Sequence, residues 1–188
     1  ENDADADGIC GDEDACPYDA DNDLDGDGVD DLAVGAAGDE NTGVREGAVY
    51  VLLMNADSTI KSHVKVSDEM GGFSPTFGEF APPLGDGDFF GASLARVDDL
   101  DGDGIPELAV GAPNSELTNV DEGAVFLLYL DANGTVKPID RGDTDLAVDD
   151  LRKVVRISDQ FELGEGLVFG SLLDGDNFGA SVANIGDL

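Results

Sequence analysis

Apolar positions along the chain fall in short runs separated by turn residues. "GAVYVLLM" from Gly47 and "GAVFLLYL" from Gly123 are continuous and β-prone, which predicts strands buried on both faces or nearly so. "HVKVSD" from His63 and "VVRISD" from Val154 alternate apolar and polar, the period of a strand with one covered face. "FGASLARV" from Phe90 alternates more loosely, and "DLAVGAA" from Asp31 and "ELAVGAP" from Glu107 are short runs of small apolar residues. Gly, Asp, Asn and Pro punctuate the intervals. No long segment keeps a 3.6-residue apolar period, and only Leu146 to Val154 reads as a short helix.

These runs repeat. Asp23 matches Asp99, and "GAVYVLL" from Gly47 matches "GAVFLLY" from Gly123 at the same offset. "KVSDE" from Lys65 matches "RISDQ" from Arg156 at a longer offset, and "LGDGDFFGASLA" from Leu84 matches "LLDGDNFGASVA" from Leu172 at a slightly shorter one. The second unit therefore carries an insert between its "GAV" and "ISD" runs, around "KPIDRGDTDLAVDDLRK". Four matching segments in one order are hard to obtain by chance. Four short strands per unit predict an all-β architecture of propeller blades. Within a blade the order is an "FGAS" strand, an acidic hairpin loop, an "LAVGA" strand, a "GAV" strand and an "ISD" strand.

The acidic loops carry the candidate chemistry. Asp23, Asp25, Asp27, Val29 and Asp31 occupy positions 1, 3, 5, 7 and 9 of a nine-residue loop, with glycines at positions 4 and 6. Alternate carboxylates on a tightly curled backbone converge on one centre, and the glycines permit the curl. Position 7 needs only its backbone carbonyl, so an apolar side chain is acceptable there. The second loop offers Asp99, Asp101, Asp103, Ile105 through its carbonyl, and Glu107; a third begins with Asp187. An oxygen-only shell suits a hard cation, and calcium (Ca2+) tolerates irregular geometry that magnesium resists. Unneutralised, such carboxylates repel strongly, so a cation explains how the loop folds. An EF-hand fits less well, because position 12 is Val34 or Val110 where a bidentate Glu is required.

Charge excludes several partners. With 43 acidic residues against 9 basic, the net charge is −34, which leaves no basic patch for nucleic acid and disfavours an anionic membrane surface. No apolar run is long enough to span a bilayer, so no membrane insertion is expected of this segment. Cys10 and Cys16 lie in an Asp-rich stretch and fit a short disulfide in an oxidising compartment; zinc finds no nearby His or further Cys. His63 reads as a solvated surface residue, and no His or Lys is motif-paired with a serine.

Together, "FGASLARVDDLDGDGIPELAVGAP" resembles the FG-GAP repeat of integrin α-subunit propellers and their bacterial relatives. Phe90-Gly91 supplies the FG and Gly111-Ala112-Pro113 the GAP; the first unit has Gly35-Ala36-Ala37, and the third shows Phe178-Gly179. The resemblance implies a β-propeller with calcium in the loop between the first two strands of a blade. The expected domain spans about 23–188: blade 1 over 23–70 without its first strand, blade 2 over 86–160 and the start of blade 3 over 174–188. That is an incomplete ring, and with Glu1 at one end and "NIGDL" at the other the expectation is a segment of a longer protein. Residues 1–22 differ: Asp3, Asp5, Asp7, Ile9 through its carbonyl, and Asp14 resemble a thrombospondin type 3 calcium repeat. Cystines in that family often link neighbouring repeats, so the partner of each cysteine stays open.

The functional expectation is a non-enzymatic, calcium-binding, extracellular propeller segment for adhesion or recognition, its loops meeting a protein or glycan ligand. The alternative is an accessory propeller of a larger secreted hydrolase or lyase. A lectin would expose loop aromatics, and the chain has no Trp and three Tyr. "RGD" at Arg141 to Asp143 reads as chance in a chain this rich in Gly and Asp.

Overall fold

The computed structural model describes residues 22–40, 43–68, 70–73, 84–115, 122–137, 154–158, 167–168 and 172–186. The N-terminal acidic repeat, both cysteines, the RGD tripeptide, Asp187 and the helix expected over 146–154, apart from Val154 itself, lie outside the described residues; Val154 begins a strand. Eight strands are described, and among the described residues no helix is long and apolar enough to cross a membrane.

The strands form two sheets that follow the repeat. The first holds β1 (Leu32–Ala36), β2 (Ala48–Met54) and β3 (Ile60–Val66) as an antiparallel meander. The second holds β4 (Ser93–Val97), β5 (Glu107–Ala112), β6 (Ala124–Leu128) and β7 (Val154–Ser158), again antiparallel, with β8 (Leu167–Val168) added in parallel beside β7. This is the blade order read from the sequence, and β8 is a strand that reading did not foresee. The two sheets share a register. Gly35 faces Val49 in the first, and Gly111 faces Val125 in the second.

The extra residues of the second unit fall, along the sequence, between two rungs that are close together in the first. In the first sheet Met54 pairs with Ile60 and Leu52 with His63. In the second, Leu130 bridges to Val136 and Leu128 pairs with Val154, so the same two rungs exist with residues 137–153 between them. The rungs on either side of the insert keep their register because one face of the strand is committed to the core, and a one-residue slip would turn it outward.

Apolar residues of both units form one core. Val49, Val51, Leu53 and Val66 from the first sheet meet Leu108, Val110, Phe126 and Leu128 from the second. At its centre Phe73, Phe90 and Phe126 are fully buried, with ring centroids 4.9, 5.7 and 5.5 Å apart in tilted and edge-on arrangements. Phe90, the Phe of the FG dipeptide, opens the second unit yet packs under the first. Phe126→Ala is expected to cost about 3–5 kcal/mol. Urea unfolding checks this, and a midpoint unchanged from the parent would show the Phe cluster is not the centre of the core.

Glycines make that junction possible. Gly47 and Phe90 form a parallel bridge, the Phe90 N–H donating to the Glu46 carbonyl at 2.9 Å; Gly123, Phe178 and Glu122 repeat the bridge and the 2.9 Å bond one unit on. A Cβ on Gly47 would overlap the Phe90 backbone, and one on Gly123 the Phe178 backbone. Gly35 and Gly111 likewise lie against the carbonyl oxygens of Gly91 and Gly179. The FG dipeptides at Phe90 and Phe178 thus each dock on two glycines of the unit before, one within its small-residue strand and one just ahead of the next strand.

Candidate metal centre

Each acidic loop curls around the carboxylate at its first position. Asp99 Oδ1 accepts from the N–H groups of Gly102 (2.7 Å) and Asp103 (3.2 Å), and Oδ2 from Gly104 (2.7 Å). Asp23 repeats the pattern with Gly26 (2.8 Å), Asp27 (3.1 Å) and Gly28 (2.6 Å). Gly26, Gly28, Gly102 and Gly104 all have φ between +74° and +87°, the curl that glycine permits. At position 5, Asp27 and Asp103 each accept from the N–H two residues on, at 3.1 and 3.0 Å. The Gly104, Gly102 and Asp103 amides hold the Asp99 carboxyl below the usual carboxylate range, the Gly104 N–H contributing most.

The second loop brings Asp99, Asp101, Asp103 and Glu107 together, one oxygen of each lying within 4.8 Å of the others. Glu107 stands at the first residue of β5, opposite Val97 at the last of β4, so the cluster sits where the loop ties the two strands. Its side chain is almost wholly buried. Oε2 accepts from the Leu100 N–H at 2.5 Å, and the buried Oε1 has no hydrogen-bond partner. Burial raises the Glu107 pKa, and repulsion from Asp101 adds to it, against the Leu100 bond that lowers it. A buried carboxylate oxygen without a donor is costly, and a cation among these four groups would satisfy it.

The first loop converges less completely. Asp23, Asp25 and Asp27 meet within the same 4.8 Å, with Asp25 Oδ1 buried and unpartnered. Asp31, expected as the fourth side-chain ligand, is one methylene shorter than Glu107. Both its oxygens accept from backbone, Oδ2 from Leu24 at 2.9 Å and Oδ1 from Met54 at 2.8 Å. Burial raises its pKa over the lowering effect of those two bonds. Asp31 thus ties the loop to the end of β2 and stands outside the converged group. Val29 and Ile105 keep their place at position 7, one residue beyond the second glycine.

Two lysines, missed from the sequence, face the clusters. Lys61 Nζ lies 2.8 Å from Asp25 and 2.5 Å from Asp27. Lys137 Nζ lies 3.2 Å from Asp101 and also pairs with Asp103. The carboxylates raise both ammonium pKa values, at Lys61 chiefly through Asp25 and at Lys137 against an opposing effect of burial. The signal was available, since Lys61 and Lys137 are separated by the same offset as Asp23 and Asp99. Each lysine supplies one positive charge to a group of three or four carboxylates, which leaves the cluster negative enough to attract a divalent ion.

Two sheets of repeated antiparallel strands, joined by FG-to-glycine docking and tied at their turns by acidic loops, define an all-β repeat protein built like part of a propeller. Residues 90–128 match the FG-GAP repeat family, a stretch running from the docked Phe90 through the second acidic loop to the end of β6.

Proposed function

We propose that this chain is a calcium-binding, non-enzymatic propeller segment that acts outside the cell in adhesion or recognition, its loops presenting a protein or glycan ligand site. The observation that carries it is the recurrence, one repeat apart, of carboxylates converging around unpartnered buried oxygens in an acidic loop ahead of a strand. Calcium bound at Asp99, Asp101, Asp103 and Glu107 would neutralise the loop, satisfy Glu107 Oε1 and fix β4 against β5. The first loop would hold the ion with Asp23, Asp25 and Asp27. The match to a repeat common in recognition propellers supports the adhesion reading. Titration calorimetry tests it: calcium binds at the two repeat loops with unequal affinity, the second loop tighter, and magnesium binds much more weakly. Absence of calcium binding overturns the proposal.

Lys137→Met follows from the same geometry. Removing a tethered cation that faces Asp101 and Asp103 is expected to tighten calcium binding at the second loop by about tenfold, the scale of one unit-charge contact in a well-solvated setting. Calcium titration of the variant checks this, and weaker binding would mean that Lys137 organises the loop instead of competing for it.

Acidity should oppose calcium. The raised Glu107 carboxyl takes up a proton at higher pH than an ordinary glutamate, so the ion is displaced earlier on acidification. In the metal-free protein the sign is opposite. Raised folded-state pKa values at Glu107 and Asp31 favour the folded state below those values, and that contribution is lost as pH rises through them. The difference in melting temperature between calcium-loaded and chelated protein is therefore expected to shrink steadily from neutral pH toward about pH 5. A difference that is constant or grows would contradict this assignment.

A further inference from the structure

We propose that Asn133 is an N-glycosylation site, its side-chain nitrogen taking an oligosaccharide from a lipid diphosphate donor as the chain is exported; this rests on the reading of the chain as one that acts outside the cell. Asn133-Gly134-Thr135 is the only Asn-x-Ser/Thr triplet in the sequence. It lies in the turn between the bridged residues Leu130 and Val136. The Gly134 N–H donates to the Asp131 carbonyl at 2.8 Å, and the Asp131 N–H to the Thr135 carbonyl at 2.9 Å. Gly134 is buried, its α-carbon against Val51 and Leu24 of the first unit, while Asn133 is exposed. The triplet therefore turns its middle residue to the protein and its asparagine to solvent, where a bulky, hydrated group displaces no packing.

The first unit supplies an internal comparison. Asn55, Asp57, Ser58 and Thr59 stand one repeat before Asp131, Asn133, Gly134 and Thr135. Ser58 and Gly134 have φ of +65° and +80°, and the Ser58 N–H donates to the Asn55 carbonyl at 2.8 Å, as Gly134 does to Asp131. What differs is the carboxylate that closes the turn. In the first unit Asp57, at the tip, folds back and accepts from the N–H and hydroxyl of Thr59 at 3.1 and 2.5 Å. In the second unit Asp131, at the base, accepts from the same two groups of Thr135 at 3.1 and 2.7 Å and from the Asn133 N–H at 2.9 Å. The Asn133 side-chain amide is left out of the turn and makes no hydrogen bond among the described residues. Asp57 shows that the turn closes without an asparagine at its tip, so the geometry does not require Asn133. Transfer forms a bond from the Asn133 amide nitrogen to the anomeric carbon of the first sugar. The bond from that carbon to the diphosphate oxygen breaks, the diphosphate leaves with the electron pair, and the amide gives up one proton. A transferase must read the Thr135 hydroxyl, which Asp131 holds in the folded turn, so transfer precedes closure of the turn and the finished fold carries the glycan in solvent.

Expression of the whole chain behind a secretory leader, in cells that carry an oligosaccharyltransferase, tests this. Mass spectrometry of the secreted protein is expected to find the peptide containing Asn133 carrying an N-linked glycan, and enzymatic removal of that glycan to leave an aspartate at the acceptor. Asn133→Asp is expected to lose the glycan while keeping the parent melting temperature, because Asp57 occupies the same place in the first turn. Asp57→Asn, which completes a second triplet with Ser58 and Thr59, is expected to gain a second glycan. An unmodified Asn133 in the secreted protein overturns the inference, whether or not Asp57→Asn is modified, and so does an N-linked glycan that survives Asn133→Asp. Because the leader imposes export, such a failure belongs to Asn133 as an acceptor; failure of the extracellular reading shows separately, as native chain found only inside its own cells.

Discussion

Gly47→Ala is expected to destabilise the protein by about 4 kcal/mol or more, in the range reserved for specific structural faults. Two costs combine. Gly47 has φ +91°, where a side chain adds about 1–3 kcal/mol of strain. Its new Cβ would also overlap the backbone of Phe90, which cannot yield like a flexible side chain because its ring is clamped between Phe73 and Phe126. Relief requires Phe90 to move, and that opens the one core the two units share. Gly123→Ala is the internal comparison. It has φ +86° and the same overlap, but against Phe178, which is half-buried and stands beyond the Phe cluster. Its effect should be smaller and confined to the docking of the third unit. Urea unfolding of both variants checks the ordering, and equal, small effects would show that the junction is not built on these glycines.

The double substitution Asp101→Ala with Asp103→Ala is expected to change sign with calcium. In calcium buffer it removes two of the four converged carboxylates, so the second site is lost along with its contribution. A site held at a hundred times its dissociation constant contributes about 2.7 kcal/mol. At 2–4 °C per kcal/mol for a chain of this size, the melting temperature falls by roughly 5–11 °C. In chelator the same variant should melt slightly above the parent, because two like charges beside Asp99 and Glu107 are gone and one lysine still balances those that remain. Melting curves under the two conditions provide the check; a variant below the parent in both would mean that these aspartates act through loop hydrogen bonds, not through an ion.

The parts of this structure legible in the sequence are those the backbone itself demands. Asp at alternate positions with Gly26, Gly28, Gly102 and Gly104 between them leaves few conformations other than a tight curl, and the curl appears in both loops. The strands after each loop followed from their apolar runs. Offsets placed the second unit's insert between "GAV" and "ISD", but not between the rungs Leu130–Val136 and Leu128–Val154, because pairing across strands leaves no local trace in the sequence. Gly47 and Gly123 read only as the residue before an apolar run; their positive φ and close approach to Phe90 and Phe178 depend on contacts from the next unit. Asp31 and Glu107 look interchangeable on paper. One methylene lets Glu107 bind the Leu100 N–H and still offer an oxygen to the cluster, whereas Asp31 gives both oxygens to Leu24 and Met54. The lysines were overlooked because a cation facing an expected cation site is not a ligand, although it belongs to the same electrostatic balance.

Calcium as the clamp of each acidic loop is the centre of this account, and thermal unfolding of the unmodified chain tests it most directly. Three samples at neutral pH and equal ionic strength suffice: saturating calcium, the same concentration of magnesium, and chelator. Two sites contributing about 2.7 kcal/mol each at a hundredfold excess over the dissociation constant would raise the melting temperature by roughly 10–20 °C in calcium over chelator. Magnesium, which dehydrates reluctantly and requires near-octahedral geometry, should recover only a small part of that shift. Equal melting temperatures in all three samples would contradict the account.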